Sequence, residues 1–290
     1  MKIPSGLWVP LVTPFRDGAL DLASYEGLVD HYVRLGVDAL FPLGTTGEAP
    51  TLDDDESEAV LAATLRAAAG RVPVFAGVGG NATARVVRTL RRLQRYDHAG
   101  IVSVCPYYNR PGQDGLVAHF RAIADASDRP VAIYNIPYRT SVNLANDTLL
   151  ELAGLPAIAG VKDSSGSLAQ SLDLLQRRPA DFTVLTGEDA LYFTMMAHGA
   201  DGGILASSHI ATARFIAVRD AFARDDLAAA RAAWAPLADL VPLLFAEANP
   251  MPLKHCLWRQ GLIASPECRL PLTRVSDGLT ARLDTALDRL

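Results

Sequence analysis

The chain predicts a (β/α)8 TIM barrel with a C-terminal helical extension, and three observations carry that prediction. Eight short apolar, β-branched runs recur along it, segments with helical periodicity separate them, and 290 residues at 50% hydrophobic content suffice for one such domain. The runs are Leu7–Val12, Ala39–Leu43, Val72–Val78, Ile101–Cys105, Val131–Ile136, Ile158–Val161, Thr183–Thr186 and Gly203–Ala206. Their nearly continuous apolar character is that of parallel strands buried on both faces. Repeated β-then-α units close naturally into a barrel. A doubly wound sheet is the alternative topology.

The elements between the runs follow in order. Tyr25, Leu28, Val29, Tyr32 and Val33 fall on one stripe of a helix. The next helix begins with Asp53-Asp54-Asp55-Glu56, anionic residues suited to the positive end of a helix dipole. Another opens after Asn81 or Thr83, both good N-caps. From His209 to Leu290 the chain is Ala/Leu/Arg-rich and helical in pattern, supplying the eighth barrel helix and an appended bundle. The boundaries expected are a catalytic barrel over 1–225 and a packed helical extension over 226–290. No Ser/Gly/Pro-rich linker divides them.

Composition narrows the function classes. A formal charge of −5 from well-mixed signs argues against an extended nucleic-acid footprint. Met1–Gly6 lacks the layout of a secretory signal, and no apolar stretch approaches the length that spans a bilayer. Cys105, Cys256 and Cys268 are too few and scattered for a disulfide framework or a zinc site. A cytoplasmic, reducing compartment is the expectation. Lysine occurs only at Lys2, Lys162 and Lys254, so each can be judged individually.

A barrel places its chemistry just after the C-terminal ends of the strands. Those positions hold Thr13, Gly44-Thr45-Thr46-Gly47-Glu48, Gly77–Asn81, Pro106-Tyr107-Tyr108-Asn109, Tyr134-Asn135, Lys162-Asp163, Gly187-Glu188-Asp189 and Ser207-Ser208. Lys162 ends an apolar run, so burial should disfavour its charged form. Amine catalysis needs a pKa near about 7–8, which makes Lys162 a candidate carbonyl nucleophile. The other reading is a strand-end lysine that reaches solvent or pairs with Asp163. Tyr107, Tyr108 and Tyr134, with Thr45 or Thr46, are candidates for a hydroxyl proton relay, or else amphipathic packing at the rim. Arg139 suits bidentate binding of a carboxylate, or else a surface ion pair. The Gly44–Gly47 turn offers backbone N–H groups for an anion, though such turns are also ordinary loop chemistry. Phosphate-loop and dinucleotide fingerprints are missing, and the six histidines show no metal-ligand spacing.

In combination these motifs resemble the dihydrodipicolinate synthase/N-acetylneuraminate lyase family of class I aldolases. The resemblance rests on Gly44–Glu48, Pro106-Tyr107-Tyr108-Asn109-Arg110-Pro111, Tyr134-Asn135-Ile136-Pro137, Gly160-Val161-Lys162 and Asn249-Pro250-Met251-Pro252. It implies a pyruvate-dependent lyase with Lys162 as the Schiff-base lysine and Tyr134 as the general acid/base. Thr45 and Tyr108 would complete the relay, Tyr108 from a neighbouring subunit, so a homodimer or homotetramer is implied. Thr46 would bind the pyruvate carboxylate, with Ile204 and Gly187 lining the site. Neither metal nor cofactor is implied, since the Schiff base is the electron sink. Arg139 favours the branch that condenses pyruvate with aspartate semialdehyde. Asp163-Ser164-Ser165-Gly166 departs from the Glu-Ala-Ser/Thr-Gly usual there and leaves a 2-keto-3-deoxy sugar-acid aldolase or dehydratase as the alternative. Asp54, Ser57 and Arg85 replace the His, His and Glu of lysine-inhibited members, so feedback by lysine is expected to be weak.

Overall fold

The structure, a computed structural model, describes residues 1–290. Along the chain lie the strands β1 Gly6–Val9, β2 Ala39–Leu40, β3 Phe75–Gly77, β4 Gly100–Val104, β5 Val131–Asn135, β6 Ile158–Asp163, β7 Thr183–Thr186 and β8 Gly202–Ile204. Between and after them come the helices α1 Leu22–Leu35, α2 Asp54–Ala68, α3 Thr83–Leu93, α4 Gln113–Ala126, α5 Asn146–Leu152, α6 Leu168–Arg177, α7 Tyr192–Ala197 and α8 Thr212–Ala223. Three more, α9 Leu227–Leu244, α10 Met251–Arg259 and α11 Asp277–Leu287, complete the C-terminal part. Each expected apolar run overlaps one of these strands, and the alternation is that of the (β/α)8 class.

Two compact units are distinguished, Met1–Gly6 with Phe75–Ile204, and Leu7–Val74 with Leu205–Leu290. In the first, β8, β7, β6, β5, β4 and β3 follow one another as a parallel run. Val102, Ile133, Val161 and Val184 are buried among its strands, and Phe120, Ile123, Leu149, Leu152 and Leu174 bring the helices onto them. Strand packing is close at Gly160, where a Cβ would lie 2.5 Å from both Ile3 Cδ1 and the Thr183 carbonyl.

In the second unit β1 pairs in parallel with β2, Trp8 opposite Ala39 and Val9 opposite Leu40. The stripe expected on α1 buries Tyr25, Leu28, Val29 and Tyr32. Tyr25 reaches α2, its hydroxyl 2.8 Å from Thr64 Oγ1. The acidic start of α2 forms a capping box: the Asp53 carboxylate accepts from the Glu56 N–H, and the Asp53 N–H donates to Glu56.

Two sequence expectations are corrected. The N-cap of α3 is Ala82, with no side-chain capping bond, rather than Asn81 or Thr83. Thr83 is instead spent on α4, its hydroxyl 2.8 Å from His119 Nδ1. Apolar length is the second. Helix α9 runs 18 residues at mean hydropathy 1.3, long and apolar enough by composition alone to cross a bilayer. The helix carries Pro236 and Pro242 in its interior and buries only the Ala230, Leu237, Leu240, Val241 and Leu244 face.

Candidate active site

Strand register assembles the central pair. Tyr134 stands opposite Lys162 across β5 and β6, and Asn135 stands opposite Asp163. Side chains alternate along a strand, so Tyr134 and Lys162 share one face while Asn135 and Asp163 share the other. On that second face Asp163 accepts from the Ser165 N–H at 3.0 Å and from the Ser171 hydroxyl of α6. Asn135 accepts from the Leu144 N–H at 3.0 Å and donates to Asn143. These bonds hold the loops after both strands. They also turn the Asp163 carboxylate away from Lys162, against the reading in which that pair neutralises the lysine.

On the first face the Lys162 ammonium nitrogen lies 4.2 Å from the Tyr134 ring centroid. Both residues are buried, at 6% and 5% exposure. Burial lowers the Lys162 pKa from 10.5 to about 8, with Asp189 and Glu188 pulling the other way. This reaches the range sought for an amine nucleophile from the sequence. Burial also pushes the Tyr134 hydroxyl well above its ordinary value; Tyr138 adds to the rise, and Ser164 and Arg139 oppose it. Tyr134 is therefore held in its neutral form.

Gly187 makes room for the lysine. A Cβ there would sit 2.7 Å from Lys162 Cε and 2.9 Å from Cγ, distances that no real contact tolerates. Gly187→Ala is therefore expected to push the amine off its position. A displacement of about 1 Å costs on the order of 100-fold in rate. Steady-state kcat/KM for pyruvate checks this, and wild-type activity in Gly187→Ala refutes it.

Other expected residues distribute as follows. Arg139 lies exposed on the short helical turn Pro137–Thr140 directly after β5, and its charge acts on Tyr134 and Lys162. Ile204 is buried at the end of β8, one residue past Gly203, which pairs with Thr186. Tyr107 and Tyr108 follow β4 but point outward, Tyr108 at 89% exposure and φ 73°. Within one chain neither joins the buried pair.

Thr45 and Thr46 belong to the Leu7–Val74 unit and are shaped there by an unusual turn. Leu43 and Glu48 flank it in left-handed backbone, φ 61° and 52°. The Gly47 and Glu48 N–H groups bond back to the Gly44 and Thr45 carbonyls at 3.1 and 3.0 Å. The Gly47 N–H is thereby consumed inside the turn and does not face an anion. Thr46 is buried, and its hydroxyl accepts from Asn249 Nδ2 at 3.0 Å. Glu48 is anchored by Lys254, whose ammonium lies against Glu48 Oε1 and donates to the Glu267 carbonyl at 2.7 Å. The Arg269 N–H adds a bond to Glu48 Oε2 at 2.9 Å.

The sequence singled out neither Ser164 nor Tyr138. Ser164 was legible, standing two residues past Lys162 just beyond the end of β6. Tyr138 interacts with Glu188 across the loops after β5 and β7, a meeting that local pattern does not announce.

The profile of the dihydrodipicolinate synthetase family matches residues 3–290. The chain belongs to that family. A curated member from Clostridium acetobutylicum, 4-hydroxy-tetrahydrodipicolinate synthase 2, is 44% identical over 287 residues, 99% of this chain and 100% of its own. A solved structure described as the first monomeric dihydrodipicolinate synthase variant superposes with TM-score 0.96 at 34% identity, covering 98% of this chain and 96% of its own. The Acinetobacter baumannii synthase, solved with pyruvate, gives TM-score 0.96 at 35% identity, covering 99% of this chain and 98% of its own. Family membership and the (β/α)8 fold thus agree with the motifs at Lys162 and Tyr134.

Proposed function

We propose that this chain is a Schiff-base lyase condensing pyruvate with aspartate semialdehyde to 4-hydroxy-tetrahydrodipicolinate, the activity named for its curated relatives. The observation that carries the reading is a buried lysine with its pKa lowered to about 8, facing a buried tyrosine across two neighbouring strands. The neutral Lys162 amine attacks the C2 carbonyl of pyruvate. Tyr134 moves protons as the carbinolamine forms and loses water to give the imine. Loss of a C3 proton gives an enamine, which attacks the aldehyde carbon of the second substrate. Cyclisation through that substrate's amine then displaces Lys162. Arg139, beside the mouth of the site, is placed to grip the acceptor carboxylate.

Turnover of pyruvate with aspartate semialdehyde, followed through a coupled reductase, tests the reading. A kcat in the ordinary range of roughly 1–1,000 per second supports it. A rate orders of magnitude lower, with Lys162 still trapped by pyruvate and borohydride, transfers the reading to a 2-keto-3-deoxy sugar-acid substrate.

The lowered lysine pKa sets the sign of the pH response. Only the neutral amine attacks, and its fraction falls tenfold per unit below the pKa. The kcat/KM for pyruvate should decline on the acid side from about pH 8. A profile flat down to pH 6 contradicts the assignment of Lys162 as the free-amine nucleophile.

The cytoplasm as the working compartment, and a homodimer or homotetramer in which Tyr108 enters a neighbour's site, belong to the same reading. The outward, left-handed placement of Tyr108 supports the latter. Sedimentation velocity of the wild type and kcat of Tyr108→Phe check it. A monomer with undiminished kcat in Tyr108→Phe contradicts the shared relay.

A further inference from the structure

The Asn249-Pro250-Met251-Pro252 motif is not used by the chemistry above, yet its first residue is tied to the turn that carries Thr46. Asn249 lies between α9 and α10 and is 7% exposed. Its side chain makes one hydrogen bond, the donation from Nδ2 to Thr46 Oγ1 at 3.0 Å, across 203 residues of sequence. Its Oδ1 is buried and has no donor. A buried amide oxygen left bare is costly, and a small apolar side chain would fill the space without that cost. The residue is therefore explained by its donor side. The rest of the turn is fixed from other directions. Thr13 donates its hydroxyl to the Gly47 carbonyl at 2.7 Å, and Lys254 holds the Glu48 carboxylate.

A hydroxyl has one proton and two lone pairs. The Asn249 N–H occupies a lone pair of Thr46 Oγ1, so the Thr46 proton is turned away from Asn249 and left to donate elsewhere. A hydroxyl that accepts one hydrogen bond also donates more strongly, because bonds in a chain polarise one another. Resting on the functional reading above, with Thr46 taking the carboxylate of pyruvate, we infer that Asn249 is a positioning residue for that substrate. Its amide sets the Thr46 hydroxyl as a donor to the pyruvate carboxylate. An acceptor in the place of Asn249 would draw the Thr46 proton to itself and present a lone pair to an anion. The segment between α9 and α10 thereby serves substrate binding, through a side chain one hydrogen bond removed from the substrate.

The half-saturating pyruvate concentration for borohydride trapping at Lys162 is the readout, since it reports binding whether or not an acceptor turns over. It is measured in wild type, Asn249→Ala, Asn249→Asp, Thr46→Val and Asn249→Ala/Thr46→Val. Asn249→Ala should raise it roughly 3- to 10-fold, the weight of one neutral hydrogen bond. Asn249→Asp keeps the shape, but its carboxylate accepts the Thr46 proton and repels the substrate anion. Its rise should be the larger, at least about 10-fold. A side chain that only packs gives the reverse order. In the Thr46→Val background Asn249→Ala should change the value less than about twofold, because the group it acts through is gone. Trapping at saturating pyruvate reports that each variant retains its Lys162 site, and the isosteric Asn249→Asp decides the matter where the alanine variant does not fold. Three results overturn the inference: an unchanged value in Asn249→Ala, a rise in Asn249→Asp no larger than in Asn249→Ala, or an undiminished effect of Asn249→Ala in the Thr46→Val background. Two others overturn the reading beneath it and need no Asn249 variant. They are the lack of a pyruvate adduct on wild-type Lys162, and a Thr46→Val value equal to wild type.

Discussion

Replacing Lys162 by alanine should abolish covalent capture of pyruvate and lower kcat by at least about 10,000-fold, the scale of losing an essential nucleophile. The structure separates this from a folding defect. Holding a lysine at 6% exposure with its pKa lowered from 10.5 to about 8 costs on the order of 3 kcal/mol below about pH 8, where the amine is charged in both folded and unfolded states, and the cost fades as pH rises toward 10.5. Removing the amine relieves that cost and leaves a small cavity, so the melting temperature should hold or rise while activity vanishes. Such a trade of stability for function is expected at active sites. Lys162→Arg should be equally inactive, because a guanidinium keeps the charge but has no nucleophilic amine at working pH. Mass spectrometry after pyruvate and borohydride reads the adduct directly. An adduct persisting in Lys162→Ala would place the chemistry on another amine.

The other large effect lies at the second buried lysine. Lys254 and Glu48 have side chains 0% and 1% exposed. Lys254→Met removes the cation and leaves the Glu48 carboxylate buried with the Arg269 N–H and the Cys268 thiol as partners, neither of which carries a compensating charge. Breaking one partner of a buried pair costs about 3–5 kcal/mol, mainly because the remaining charge is uncompensated. At roughly 2–4 °C per kcal/mol for a chain of this order, thermal unfolding should begin about 10 °C lower. The double variant Lys254→Met/Glu48→Gln should recover much of that loss, because no lone charge remains. Calorimetry of the four proteins in the cycle decides it. If the single and double variants lose equal stability, Lys254 matters through its packing on the Phe15 ring, 4.2 Å away, and not through the pair. Activity offers a second readout. Glu48 ends the turn that holds Thr45 and Thr46, so KM for pyruvate should rise in Lys254→Met if Thr46 binds its carboxylate.

Much of this protein was written locally. Each β run and most helices follow from residue alternation, from 3.6-residue periodicity and from end chemistry such as the Asp53–Glu56 box, all of which act over a few neighbouring residues. The motif at Lys162 announced a buried amine because an apolar strand body dictates burial, and burial dictates the direction of the pKa. Local pattern failed where a side chain had distant partners to choose among. Thr83 reads as a cap, but His119 on α4 takes its hydroxyl. Asp163 reads as a partner for its neighbour Lys162, but strand alternation sends it to Ser171. The Gly47 amide reads as one donor of an anion-binding turn, but it bonds back to the Gly44 carbonyl. The sequence by itself therefore determined the element order, the fold class and which lysine ends a buried strand. Tertiary structure alone decided that Tyr134 faces that lysine, that Glu48 is held by Lys254, and that Glu188 meets Tyr138. The reason is that hydrogen bonds and ion pairs between segments remote in sequence depend on strand register and loop placement, and these are settled only when the chain is packed.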